Sequence, residues 1–247
     1  MKKMGKLLGS LVLMLMFAVS AYGAKAEKLY VGTNAEFPPF EYLDGDKIVG
    51  FDIDFINAIA AEMGKEVVVK DMSFDGLLPA LQTGKVDVVI AGMTATEERQ
   101  KAVNFSQPYY SANQVIILPE GNTDIKNFDD LKGKKVAVML GFTGDVVVSE
   151  MPEVKVERFN AAYAGIMALQ AGKVDAVVLD SETANNYVAK NAGLKLAEGK
   201  GEAEDYAIAV KKQDEALLKE INAAIDKIKA DGTFGKISEK WFGKEEN

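Results

Sequence analysis

One nine-residue pattern occurs twice, and it constrains the fold more than any other feature of the chain. Leu81-Gln82-Thr83-Gly84-Lys85-Val86-Asp87-Val88-Val89 returns in the second half as Leu169-Gln170-Ala171-Gly172-Lys173-Val174-Asp175-Ala176-Val177. Each copy reads as the end of a helix, a glycine turn and a buried strand. Glycine enters the left-handed conformation that stops a helix without a Cβ penalty. The unbroken apolar run after it suits a strand covered on both faces. Helix–glycine–strand is a frequent α/β joint. Two matching copies, one in each half, nevertheless point to two lobes of similar build, each presenting the carboxyl end of a buried strand. In open α/β sheets, ligands bind outside those strand ends.

The rest of the periodicity agrees with that architecture. Short apolar strands are predicted at Leu29–Thr33, Val67–Val69, Val86–Ala91, Lys135–Met139 and Val174–Leu179. Helices are predicted between them. Phe51, Phe55, Ile59 and Met63 share one face of a helix over Phe51–Met63, Leu77–Thr83 forms a second, and Glu215–Ala230 forms a third that Asp231-Gly232 stops. Strands alternating with helices imply an α/β fold with largely parallel sheets.

The first 26 residues are read separately. Met1–Lys6 carries three lysines and no acid, Leu7–Val19 is almost unbroken apolar sequence, and Ala24-Lys25-Ala26 offers a small-residue cleavage site. That is the pattern of a secretory signal peptide, whose apolar stretch is well short of the roughly 20 residues that span a bilayer. Removing 1–26 takes away four lysines and no acids, so the net charge moves from −8 to −12. Such an acidic chain is repelled by nucleic acid phosphates. It has no cysteine and no histidine, which excludes disulfides, thiolate metal sites, histidine triads and histidine-ligated zinc. It also lacks the cysteine on which an exported lipoprotein is anchored. The mature chain is therefore expected free in the periplasm, as a monomer, with no metal or cofactor.

The two repeats lead into different tails. The first strand runs into Ala91-Gly92-Met93-Thr94 and on to Arg99; the second ends at Asp180. Thr94 with Glu97 fits a capping box, and Asp180 fits an N-cap. One strand end thus presents small residues, a hydroxyl and a guanidinium, the other a carboxylate. Facing each other, they have the polarity of an α-amino acid zwitterion. Arg99 can hold a carboxylate by a two-pronged contact, with Thr94 and backbone N–H groups beside it. The turn Gly141-Phe142-Thr143-Gly144 adds donors, and Asp180 is placed to take the ammonium.

Four further stretches carry a family resemblance. They are Gly32-Thr33-Asn34-Ala35-Glu36-Phe37-Pro38-Pro39-Phe40-Glu41, Gly50-Phe51-Asp52-Ile53-Asp54-Phe55, Ala91-Gly92-Met93-Thr94 through Arg99, and Asp231-Gly232-Thr233 with Lys240-Trp241-Phe242-Gly243. The chain resembles the extracytoplasmic solute-binding proteins of ABC transporters for polar amino acids, over about Leu29 to Gly243. The resemblance implies a two-lobed, type II binding-protein fold with two crossing strands. Lobe 1 would hold residues 27–111 and 206–247, and lobe 2 residues 112–205. It implies Arg99, Thr94, Gly92 and Thr143 on the ligand carboxylate, Asp180 on the ammonium, Phe37 and Phe74 around the side chain, and Ala91 and Met139 shaping the wall. Its partner would be the membrane permease of an ABC transporter.

Asn34 departs from the pattern, because many members that take cationic or amide side chains carry Asp there. Glu36 and Asp75 are acids that restore charge at the side-chain end only where they point inward, and Met139 makes one wall apolar. Arginine or another basic amino acid is the first expectation and glutamine the second. The competing reading is an exported dehydratase for prephenate-like acids on the same fold, with Glu36 as its acid; Asp180 as an ammonium ligand argues against it. A receptor or regulator of this fold would need a transmembrane or DNA-binding segment, and none is expected here.

Overall fold

The computed structural model describes residues 26–243, so the expected signal peptide lies outside the described residues except for Ala26. The chain begins with β1 (Glu27–Thr33) and a small antiparallel sheet of β2 (Glu36–Phe37), β3 (Glu41–Asp44) and β4 (Lys47–Val49). It continues through α1 (Phe51–Glu62), β5 (Lys65–Asp71), α2 (Phe74–Gln82), β6 (Val88–Val89), α3 (Glu97–Ala102) and β7 (Val103–Phe105). Strand β8 (Tyr110–Pro119) carries it into a second sheet with β9 (Lys135–Met139), α4 (Thr143–Glu150), β10 (Lys155–Phe159), α5 (Ala162–Gln170), β11 (Ala176–Asp180) and α6 (Ser181–Lys190). Strand β12 (Leu194–Tyr206) returns it to β13 (Ala209–Lys211), α7 (Glu215–Ala230) and α8 (Thr233–Phe242).

The two large sheets follow one plan. Their strand orders are β5-β1-β6-β13-β7 and β10-β9-β11-β8-β12. In each, three parallel strands are followed by a fourth that runs antiparallel to both its neighbours, and the fifth runs the same way as the first three. The sequence repeat is the joint that builds this plan. Gly84 and Gly172 both take the left-handed conformation, at φ 74° and 66°. The next residue in each copy reaches back to the helix, Lys85 N–H to Ala80 O and Lys173 N–H to Ala168 O, both at 2.9 Å. Each aspartate then clamps the neighbouring strand: the Asp87 carboxylate accepts from Tyr30 N–H at 2.9 Å, and the Asp175 carboxylate from Lys135 N–H at 2.7 Å.

Local sequence explains the helices that position the site. In α1, Phe51, Phe55 and Ile59 are buried at four-residue spacing, as the periodicity predicts. Its N-cap Gly50 has φ 142°, and a Cβ there would stand 1.9 Å from Phe40 O, so only glycine fits. Helix α2 starts three residues earlier than predicted, at Phe74, which places that ring at the helix mouth. Helix α7 spans the predicted residues. Asp214 caps it by accepting from Leu217 N–H at 3.2 Å, and Ile221, Ala224, Ile225 and Ile228 bury its inner face.

Burial in the second sheet alternates with the pleat. Val115, Ile117, Ala137, Met139, Val177 and Leu179 join the large apolar cluster that continues into the first lobe. Ile116, Leu118, Val136, Val138, Ala176 and Val178 fill a separate cluster on the other face. A strand buried on both faces has no polar side to spare, which is why these segments read as continuous apolar runs. Strands β8 and β12 pair from Tyr110 opposite Tyr206 to Pro119 opposite Leu194, and at the Tyr110–Tyr206 end both are continued in sequence by β7 and β13 of the first large sheet. There Tyr109 N–H donates to Tyr206 O at 3.0 Å and Ala207 N–H to Met93 O at 3.1 Å. Among the described residues, no helix is long and apolar enough to cross a membrane.

Candidate functional site

Three strand ends converge between the lobes. Strand β6 leads into Ala91-Gly92-Met93-Thr94 on one side; β9 leads into the Gly141 turn and β11 ends at Asp180 on the other. Arg99, in the first turn of α3, reaches across. Its guanidinium donates to Thr94 O at 2.8 Å and to Gly141 O at 2.9 Å, and lies 5.1 Å from the centre of the Phe74 ring. Those two bonds use two of its five N–H groups. Burial pulls the Arg99 pKa down, while the Asp180 and Glu204 carboxylates and Tyr206 hold it up. A guanidinium keeps its charge under such treatment, so the site holds a fixed, partly dehydrated cation.

Asp180 is the counter-charge. It is 2 % exposed and accepts from Gln114 Nε2 at 2.8 Å and from the Tyr206 hydroxyl. Burial pushes its carboxyl up to about 6; the bonds from Tyr206 and Gln114 oppose that, Glu204 adds to it and Arg99 reduces it. It occupies the N-cap position of α6, yet its side chain makes no capping bond. The carboxylate is turned into the cleft instead. Burying an ionised acid is costly without such partners, and Gln114 and Tyr206 supply them here.

Thr94 requires a correction. It does not cap α3: Thr96 does, by accepting from Arg99 N–H at 3.2 Å. Thr94 lies in an extended bridge opposite Tyr206, two residues ahead of the cap, so a box with Glu97 has the wrong register. Its hydroxyl instead donates to Glu204 Oε2 at 3.0 Å. Thr143, the first residue of α4, donates to the same oxygen at 2.5 Å. Gly92 is also engaged, its N–H donating to Asp52 Oδ2 at 2.8 Å, an oxygen that the Tyr109 hydroxyl shares at 2.8 Å. That N–H is therefore not a spare donor at the strand end. Burial pushes Asp52 up to about 6, and burial together with Asp52 pushes the adjoining Glu41 well above the usual range.

Aromatic rings make the remaining wall. Phe37 and Phe74 are both buried, and Phe142 lies between them, 5.0 Å from Phe37 and stacked at 3.7 Å on Phe74. Gly92, at φ 52°, brings the backbone against the edge of Phe37, 3.0 Å from where a Cβ would sit. Ala91 and Met139 are buried in the same apolar cluster. Asn34 is buried; its amide donates to Met72 O at 3.0 Å, and its Oδ1 has no hydrogen-bond partner. Glu36 is only partly buried, with burial and Asp71 raising its pKa. No group of acidic residues among those described is arranged to hold a metal ion.

Of the ten residues singled out in the sequence, Phe37, Phe74, Gly92, Thr94, Arg99, Thr143 and Asp180 are linked to one another by hydrogen bonds and ring contacts, directly or through Phe142, Glu204 and Gln114, whereas Ala91 and Met139 are buried in the apolar cluster and Asn34 bonds to Met72. Gln114, Phe142, Glu204 and Tyr206 belong to the same network and were not singled out there. Glu204 and Tyr206 sit two apart on β12 and so share a face, a period-2 signal that was readable. Phe142 lies inside the glycine-rich turn, where a large ring flanked by small residues was a further hint.

Residues 29–244 match the bacterial extracellular solute-binding proteins, family 3. The ABC transporter arginine-binding protein 1 of Escherichia coli (strain K12) is 38 % identical, over 94 % of this chain and 98 % of that protein. An ancestral arginine-binding protein bound to glutamine is 49 % identical, with TM-score 0.85, covering 90 % of this chain and 100 % of that one. The same kind of protein bound to arginine is 49 % identical, with TM-score 0.86 and coverage of 89 % and 100 %.

Proposed function

The chain belongs to the bacterial extracellular solute-binding proteins, family 3, and on that footing we propose that it captures a free polar amino acid, arginine foremost, between its two lobes and hands it to an ABC transporter permease. The observation that carries this reading is the meeting of Arg99 and Thr94 from one lobe with Thr143 and Asp180 from the other in a single buried network. A zwitterion has a carboxylate for the cationic side and an ammonium for the anionic side. Relatives named for arginine, and a neighbour that holds glutamine, support a ligand with a long polar side chain.

The working cycle is hinge closure. In this reading the described residues 27–111 and 206–243 form lobe 1, residues 112–205 form lobe 2, and β8 and β12 serve as the hinge. A ligand shifts such an equilibrium only by its differential affinity for the closed state, and contacts from both lobes supply that difference. In this scheme Arg99, Thr94 and Thr143 hold the carboxylate and Asp180 the ammonium. Gly92 offers its carbonyl, its N–H being committed to Asp52. Phe37, Phe74, Ala91, Asn34 and Met139 contact the side chain. The protein acts outside the cytoplasm as a monomer after export, and it catalyses no reaction.

The test is thermal unfolding of the chain starting at Glu27, refolded from denaturant, against each of the twenty amino acids. A ligand at 100 times its Kd adds about 2.7 kcal/mol to stability. A rise with arginine, lysine or glutamine supports the reading; no rise with any amino acid refutes it.

A further inference from the structure

Three groups of the protein itself sit where the proposed ligand's parts belong. Glu204 Oε2 takes the hydroxyl protons of both Thr94 and Thr143, at 3.0 and 2.5 Å. A threonine hydroxyl has one proton to give, so neither can serve a second carboxylate while Glu204 is there. Gln114 Nε2 stands against Asp180 Oδ1 at 2.8 Å, Thr143 Oγ1 at 3.1 Å and Glu204 Oε2 at 3.4 Å. It is a nitrogen donor in the ammonium's position. Gly144 allows this approach, since a Cβ there would stand 2.7 Å from Gln114 Oε1. The Phe142 ring fills the slot between Phe37 and Phe74.

We infer that Glu204 is a built-in competitor for the ligand carboxylate, holding the Thr94 and Thr143 donors until a ligand displaces it, with Phe142 filling the side-chain slot alongside. This deepens the proposed amino-acid binding and rests on it. Displacement has somewhere to go. A cavity of about 510 Å³ is lined by Glu204 and Gln114 themselves together with Phe128, Val147, Met151 and Lys200. Glu204 is half-buried on β12 and Lys200 is exposed on the same strand. A carboxylate leaving the two hydroxyls can turn into that cavity toward the Lys200 ammonium. The consequence is specificity: a ligand must bring a carboxylate strong enough as an acceptor to replace the one already held, and a side chain that displaces a ring.

The experiment compares the wild type with Glu204→Ala and Glu204→Gln, each checked for folding by its melt, in calorimetric titrations with L-arginine, L-glutamine and L-argininamide. Glu204→Ala is expected to bind whichever of the two amino acids the wild type binds about tenfold more tightly or better, with Glu204→Gln in between. Argininamide brings a neutral carboxamide and should gain little. If the folded Glu204→Ala protein binds no more tightly, or argininamide gains as much as arginine, Glu204 does not compete for the carboxylate donors and the inference falls. If the wild type and the variants all fail to bind any amino acid, the proposed function itself is refuted and the inference goes with it.

Discussion

Replacing Asp180 by Asn should make the protein more stable and less able to bind. The two side chains are nearly the same size, and the Asn carbonyl can still accept from Gln114 or from the Tyr206 hydroxyl, the present partners of the carboxylate. What disappears is a buried charge. Burial raises the Asp180 pKa from 3.8 to about 6. At about 1.4 kcal/mol per pKa unit this penalises the ionised native state by up to about 3 kcal/mol. The sign follows from proton counting. Between pH 4 and 6 the native protein keeps the proton and the unfolded chain loses it, so stability falls as pH rises through that window. Above about 6 the whole penalty is present, and below about 4 it is absent. Asp180→Asn should therefore match the wild type near pH 4 and melt higher at pH 7.5, by roughly 5–10 °C for a chain of this size. The same variant should lose at least about tenfold in amino acid affinity, because a charge-assisted bond to the ammonium is worth about 1.5–3 kcal/mol. Thermal melts of the empty protein at the two pH values, beside calorimetric titration at pH 7.5, check both halves. A variant that melts below the wild type at pH 7.5, or by the same margin at both pH values, would refute the electrostatic account of this residue.

Arg99→Ala removes the cation of the clamp, its bridge to Gly141 O and its stack on Phe74; titration should show affinity falling by about a hundredfold or more, in line with two charge-assisted bonds. Gly92→Ala forces a Cβ onto a residue at φ 52° and to 3.0 Å from the Phe37 ring, and its melt should show a loss of about 1–3 kcal/mol. Phe55→Ala empties a fully buried position in α1 packed against Phe51, Tyr109 and Phe234; denaturant unfolding should report a loss of about 3–5 kcal/mol, with ligand selectivity unchanged in the protein that remains folded.

The architecture was legible in the chain because local rules agree with one another along it. The two copies of the helix–glycine–strand joint, the four-residue spacing of Phe51, Phe55 and Ile59, and the largely apolar runs at Lys135–Met139 and Val174–Leu179 each specify an element from nearest neighbours alone. They also place Thr94, Arg99, Thr143 and Asp180 near strand ends, since a residue's distance from a strand end is a property of sequence. What the sequence left open was which groups spend their hydrogen bonds on each other. Thr94 looked like a cap and is a donor to Glu204, 110 residues away; Gly92 was expected on a ligand carboxylate and its N–H is held by Asp52; Phe142 lies between two rings from the other half of the chain. Each hydroxyl has one proton and each ring slot one occupant, so the outcome depends on which side chains the two facing lobes bring within about 3 Å of one another. Only the tertiary structure sets those distances.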